Sequence, residues 1–374
     1  MSTIMIIGGI PESLLNFRGE LIRQWCQKGY KVVAVSAPAS IQLVEAIHET
    51  GACFKPIPIR RASLNPFSDL KALSSIIKIM REEKPDKVFS YTIKPIIYSA
   101  ISLILNGISA DCYAMITGLG YTFTGEGIKR KFLNKISIML YRLALKRCKV
   151  VLFQNKDDLK LFKKLNIIPE EKLTVITNGS GVNTLHFNYN PVQSDQSLSF
   201  LLIGRLLFSK GLREYVEAAK IIKERHPLVS FKLLGETDPS PDSIKQADLQ
   251  DWQKDGLIEY SPHTDDVRPF LKACSVYVLP SYREGTPRSV LEAMAIGRPI
   301  ITADTPGCRD TVEEGLNGFL VPAKDSKALS EAMESFINKP ALIEQMGRES
   351  RRIAEEKYDV YKVNEVINRA MGLN

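Results

Sequence analysis

Short apolar runs that end in glycine, proline or serine, alternating with helical stretches, constrain this chain more than any other feature. The first half carries TIMII, KVVAVS, KVFSY, CYAMIT, VVLFQ and LTVIT; the second carries SFLLIG, VSFKLLG, LIEYS, VYVLP, PIITA and GFLVP. Strands covered on both faces read as continuous apolar runs, so the pattern predicts parallel sheets wrapped by helices. LHFNYNPVQSDQSLS interrupts the series, has no periodicity and is rich in Asn, Gln and Ser, which reads as a linker. At 374 residues the chain also exceeds what one core usually organises. Two doubly wound α/β domains are therefore expected, over 1–184 and 199–358, joined by a linker at 185–198 and followed by a helical segment at 359–374.

In such sheets ligands bind beyond the carboxyl ends of the strands, where Gly204-Arg205, Gly235, Pro280 to Gly285 and Asp304 to Gly307 all fall. Glu284 follows the strand-like SVYVLPS, and Glu292 lies further on, in a helix expected to begin near Gly285 with Pro287 in its first turn. A helix start offers N–H groups and a dipole that favour an anion. Arg205 supplies a planar fork for phosphate oxygens and Lys210 a mobile point charge. Taken singly, these are a capping acid, a solvated helix face and two surface cations; together they outline an anion site. No Asp-x-Asp occurs, and His48, His186, His226 and His263 lie far apart, so no metal or other cofactor is expected and the positive charge must come from the protein.

The seven-residue spacing of the two glutamates resembles the E-x7-E signature of the retaining glycosyltransferases of family 4. Gly204-Arg205 with Lys210-Gly211 resembles that family's diphosphate-binding pair, and Thr305-Pro-Gly-Cys-Arg-Asp310 resembles its downstream loop. NFRGELI, RASLNPF and TGLGYTFT are similar to the subgroup that extends polyprenyl-diphosphate-linked saccharides in bacteria. The resemblance implies two Rossmann-like doubly wound parallel-sheet domains facing across a cleft, the glycosyltransferase B fold, with the last helix packing back on the first domain. It implies metal-independent, retaining transfer from a nucleotide-sugar, with UDP-N-acetylgalactosamine or another UDP-N-acetylhexosamine as the expected donor. The product is then an α linkage on an undecaprenyl-diphosphate-linked saccharide, in surface polysaccharide (O-antigen) or glycan assembly.

The same resemblance assigns the residues. Arg205, Lys210 and Glu284 become catalytic, with Glu284 at the sugar hydroxyls and Glu292 at the ribose. Gly8, Gly9, Gly204, Gly285, Thr286 and Pro287 complete the donor set, although Gly8 and Gly9 also serve simply as a tight strand-to-helix turn. Asn16, Arg18, Lys94, Thr117, Gly118 and Gly120 are the acceptor candidates. The chain departs from many relatives at Thr92-Ile93-Lys94-Pro95, where they carry a histidine. Retention proceeds without that base if the leaving phosphate takes the acceptor's proton, and Lys94 is either a ligand for an acceptor diphosphate or a solvated lysine. The rival readings are a nicotinamide-dependent oxidoreductase, which lacks support because no G-x-G-x-x-G follows the first strand, and a UDP-sugar epimerase of the same two-domain build.

The charge is lopsided: residues 1–184 carry a net +12 and the remainder −4. Gly127 to Lys149 holds eight Lys and Arg and no acid. On a helical wheel Phe132, Ile136, Met139 and Leu143 form one stripe, and Lys131, Lys135, Arg142 and Lys146 another beside it. Adjacent apolar and basic rows suit a helix in a lipid headgroup layer, so an anionic membrane surface is an expected partner, met through Lys129, Arg130, Lys131, Phe132 and Lys135. A core-packed helix with a basic edge is the plainer alternative. Nucleic acid is not expected, since no zinc-finger spacing or ribonucleoprotein motif occurs. MSTIMIIGG reads as a first strand rather than a leader, and six scattered cysteines read as reduced core thiols. A cytoplasmic protein held peripherally at the inner face of the cell membrane is the expected location.

Overall fold

The computed structural model describes residues 1–59, 66–119, 128–192, 197–240 and 242–373, with the side chains of 66 and 128–132 left aside. Among them, seven parallel strands form the first sheet: β1 (Thr3–Ile7), β2 (Lys31–Ser36), β3 (Cys53–Pro56), β4 (Lys87–Tyr91), β5 (Asp111–Ile116), β6 (Val150–Phe153) and β7 (Thr174–Ile176). Their order is β3-β2-β1-β4-β5-β6-β7. The second sheet has six: β8 (Ser199–Ile203), β9 (Ser230–Leu234), β10 (Glu259–Ser261), β11 (Val276–Leu279), β12 (Ile300–Ala303) and β13 (Gly318–Val321), in the order β10-β9-β8-β11-β12-β13. Both are Rossmann-like, as the alternating runs predict.

Continuous apolar runs arise here because both faces of each sheet are covered. Met5 and Ile7 of β1 join Val33, Val35 and Val88 in one buried cluster, while Ile4 and Ile6 point the opposite way, to Ile22, Trp25 and Phe89. That alternation is the two-residue period of a strand, and each such buried side chain contributes about 1.5–3 kcal/mol. β3 escapes the sequence reading because CFKP has no apolar run. It is an edge strand in which only Phe54 is buried.

The chain forms two compact units, residues 1–180 with 363–374, and residues 181–362. Part of the stretch read as a linker lies packed in the second unit. Phe187 belongs to that unit's core, and the buried Arg298 donates to the Asn190 carbonyl at 2.6 Å. Two segments of this unit run side by side: Val182 N–H donates to the Tyr358 carbonyl at 2.8 Å and Val360 N–H to the Val182 carbonyl at 2.9 Å. From Val363 onward the chain belongs to the first unit, where Val363, Ile367, Met371 and Leu373 share a core with Trp25. The Trp25 indole donates to Asn368 Oδ1 at 2.8 Å.

In each sheet the strand order reverses beside the first strand, between β1 and β4 and between β8 and β11. The connections diverge there, which leaves room beyond the carboxyl ends of those strands for a ligand. Among the described residues no helix is long and apolar enough to cross a membrane.

Candidate functional site

In the second unit the loops leaving β8 and β11 meet at this reversal. After β8 the chain runs through Gly204 and Arg205 into a single tight turn, Phe208–Lys210, and then into the helix Leu212–Arg225. Gly211 joins turn to helix at φ +75°, and a Cβ there would lie 2.3 Å from the Pro280 carbonyl oxygen, so no other residue lets the two loops come this close. Tyr282 N–H donates to the Ser209 carbonyl at 2.9 Å, and Ser281 Oγ donates to the same oxygen at 3.2 Å. The loops are thereby fixed to one another.

This lacing brings Lys210 and Glu284 together. Lys210 Nζ lies 2.5 Å from Glu284 Oε1, which also accepts from Ser281 Oγ at 2.8 Å. The lysine stem runs past Gly204, where a Cβ would lie 3.9 Å from its Cδ and Cε. Glu284 is held from behind as well: its N–H donates to the Pro306 carbonyl at 3.0 Å, and a Cβ on Gly307, at φ +81°, would lie 2.3 Å from the Glu284 carbonyl oxygen. Arg205 sits on the same loop as Lys210, with Nη1 2.5 Å from Asp238 Oδ2.

The helix after the β11 loop spans Arg288–Ile296, so it starts three residues later than expected from the sequence. Thr286 precedes a proline and is kept from helical geometry, and Pro287 itself is extended at ψ 113° and acts as the N-cap. Glu292 thus stands about one turn inside the helix, only 8% exposed, with Arg288 Nε 2.7 Å from its Oε1. Burial raises the Glu292 carboxyl above the ordinary glutamate range, and the Arg288 charge opposes that shift. Gly285 and Thr286 lie in the loop between the two acids.

In the first unit, Gly8 and Gly9 follow β1 and Thr92 to Lys94 follow β4, on either side of the reversal. The Gly8 N–H is committed to the Val35 carbonyl at 2.9 Å, and a Cβ there would strike the Tyr91 hydroxyl at 2.3 Å. Thr92 holds φ +67°, a strained value for a β-branched residue, at the start of the helix Ile93–Asn106. Lys94 Nζ lies 2.7 Å from Asp69 Oδ1. Arg18, 1% exposed, lies with its guanidinium 5.4 Å from the Tyr91 ring centroid and donates to Met115 Sδ at 2.7 Å. The Tyr91 hydroxyl, 2.7 Å from Ser13 Oγ, is pushed up to about 12 by burial. Asn16 is exposed, and Thr117 and Gly118 follow β5. Gly120, residues 61–65 of RASLNPF, and the side chains of Lys129, Arg130, Lys131 and Phe132 lie outside the described residues.

The helix Ile128–Arg147 has two different apolar faces. Tyr141, Ala144 and Leu145 are buried, whereas Met139 is 61% and Leu143 51% exposed, with Lys135, Arg142 and Lys146 exposed around them. Arg142 is held in place by donating to the Leu165 and Asn166 carbonyls. Among the described residues no three His, Cys, Asp or Glu side chains gather as metal ligands. All six cysteines are free, and Cys53 is exposed rather than in the core.

Sequence reasoning did not pick out Ser281, Arg288, Asp238 or Asp69, each of which contacts a candidate residue. Only Asp238 carried a usable signal, in the turn-rich Asp238-Pro-Ser-Pro-Asp242 just after β9.

Residues 190–353 match the family described as glycosyl transferases group 1, and residues 17–155 match that described as glycosyl transferase 4-like. The chain is similar to N,N'-diacetylbacillosaminyl-diphospho-undecaprenol alpha-1,3-N-acetylgalactosaminyltransferase of Campylobacter jejuni, with 29% identity over 72% of this chain and 73% of that one. It is 28% identical to UDP-Gal:alpha-D-GlcNAc-diphosphoundecaprenol alpha-1,3-galactosyltransferase of Escherichia coli, over 77% of this chain and 73% of that one. Among solved structures, Anabaena HepE in complex with UDP and glucose superposes with a TM-score of 0.80 over the whole of both chains, at 16% identity, a likeness of fold alone.

Proposed function

This chain belongs to the glycosyltransferases, and we propose that within them it is a retaining, metal-independent enzyme that uses a UDP-sugar. The proposed donor is UDP-N-acetylgalactosamine or another UDP-N-acetylhexosamine, and the proposed acceptor an undecaprenyl-diphosphate-linked saccharide in surface polysaccharide or glycan assembly. One observation carries the reading: Lys210 meets Glu284 at the β8/β11 reversal, with Arg205 on the same loop as Lys210 and Glu292 on the helix that follows.

Arg205 and Lys210 offer positive charge where a departing diphosphate gains negative charge, and such a group, once engaged with the phosphates, contributes about 3–4 kcal/mol to lowering a barrier. The proton of the incoming hydroxyl goes to the leaving phosphate oxygen on the same face of the sugar, so no histidine base is required at Thr92 to Lys94. Glu284 takes the sugar hydroxyls and Glu292 the ribose. The names of the two bacterial relatives support the lipid-linked acceptor. Exposed Met139 and Leu143 beside Lys135 and Lys146 support peripheral attachment to an anionic cytoplasmic leaflet, where such an acceptor is met.

The test is product formation by purified protein from a panel of UDP-sugars and undecaprenyl-diphosphate saccharides, with and without chelator, and assignment of the new anomeric configuration by NMR. An α product formed equally well under chelation is expected. A β product, or dependence on added divalent metal, overturns the mechanism; absence of donor-dependent product overturns the function.

A further inference from the structure

We propose that Asp238 competes with the nucleotide's diphosphate for Arg205 and thereby sets how readily the spent nucleotide leaves. The inference rests on the reading of Arg205 as a diphosphate ligand.

Asp238 is built into place. Its Oδ1 accepts the Ser240 N–H at 2.9 Å, and its own N–H donates to Ser243 Oγ at 3.1 Å. That segment is stitched along the β8 loop: Leu206 N–H donates to the Glu236 carbonyl at 2.8 Å, Ile244 N–H to the Leu206 carbonyl at 2.9 Å, and Phe208 N–H to the Asp242 carbonyl at 2.9 Å. The Asp242 carboxylate accepts the Ser209 N–H at 3.1 Å. These bonds leave Asp238 Oδ2 directed at Arg205 Nη1, 2.5 Å away.

The two partners differ in freedom. The Asp238 side chain is 16% exposed and held by its turn, whereas the Arg205 side chain is 42% exposed on a long stem. The arginine is therefore the member that moves. A carboxylate and a phosphate both accept a guanidinium fork, but a diphosphate carries the larger negative charge. Incoming donor draws Arg205 from Asp238; as the nucleotide departs, Asp238 takes the arginine back. Glu284 faces Lys210 in the same manner, but as the proposed sugar ligand it has its own work once the donor is bound.

The test is UDP binding by calorimetry and UDP release by stopped-flow displacement, on the full chain and on Asp238→Asn, which keeps the oxygen that accepts from Ser240. For a pair this exposed, UDP should bind about two- to fivefold more tightly, mostly through slower release. Unchanged or weaker binding in a variant that melts like the parent overturns the proposal, because a residue that merely orients Arg205 changes affinity in that direction. Asp238→Ser, which also retains a hydroxyl acceptor, gives the same reading should the asparagine variant melt early. Failure of the unaltered chain to bind UDP at all would instead strike down the diphosphate site itself.

Discussion

Replacing Gly307 with alanine should disable the site while leaving most of the fold intact, and the size of the effect follows from the geometry. Gly307 stands at φ +81°, and its Cβ would lie 2.3 Å from the Glu284 carbonyl oxygen and 2.4 Å from that of Gly285. Ordinary contact begins near 3.4 Å, so the 284–285 backbone must retreat by roughly 1 Å. The Glu284 carboxylate is held at 2.5 Å by Lys210 and 2.8 Å by Ser281, and a shift of that size takes it out of hydrogen-bond reach. A 1 Å misplacement at a reacting centre costs about a hundredfold in rate. The left-handed backbone adds about 1–2 kcal/mol of strain, which lowers the melting temperature of a unit this size by about 2–8 °C. The assay is UDP-sugar-dependent turnover at saturating acceptor, alongside thermal melting. Turnover within a factor of three of the parent, in a folded variant, would refute the claim that the 305–307 loop positions Glu284.

Three further outcomes follow from the same contacts. Lys210→Met should lower kcat about a hundred- to thousandfold with little change in melting temperature, and a smaller loss would remove Lys210 from the reaction. Glu292 must be charged to accept two ribose hydroxyls, so kcat/KM for the donor should fall as pH drops through its raised pKa, and Arg288→Gln should move that limb to higher pH. The stability sign is the reverse: with the folded pKa above the unfolded value of about 4.3, the Glu292 contribution is full below that value and is lost as pH rises through the folded one. A pH–rate profile and a pH–melting series check both limbs. Met139→Asp with Leu143→Asp should cut flotation with anionic vesicles at least about tenfold while changing stability by about 1 kcal/mol or less, since both positions are exposed; undiminished flotation would leave the helix without a membrane role.

The layout of strands was legible in the sequence because a parallel strand covered on both faces must be apolar at nearly every position, and each run ends where the chain must turn. The same runs placed Arg205 and Glu284 beyond strand ends, so the candidate site could be outlined before any contact was known. β3 stayed hidden because an edge strand buries one face only, and CFKP offers a single large apolar side chain. The late start of the Arg288–Ile296 helix was a local matter of Thr286 before Pro287, readable in principle and missed.

What only the tertiary structure decided is which charge each charged residue faces. Asp238 reaches Arg205 across 33 positions, and Glu284 reaches Lys210 across 74. Whether Arg18 meets solvent or lies beneath Tyr91, and whether Met139 or Tyr141 faces inward, likewise depends on how β5 and the Ile128–Arg147 helix settle on their neighbours. Apolar periodicity is a property of consecutive residues and survives in the bare chain. A charge pair forms only when folding has brought two distant loops within a few ångströms.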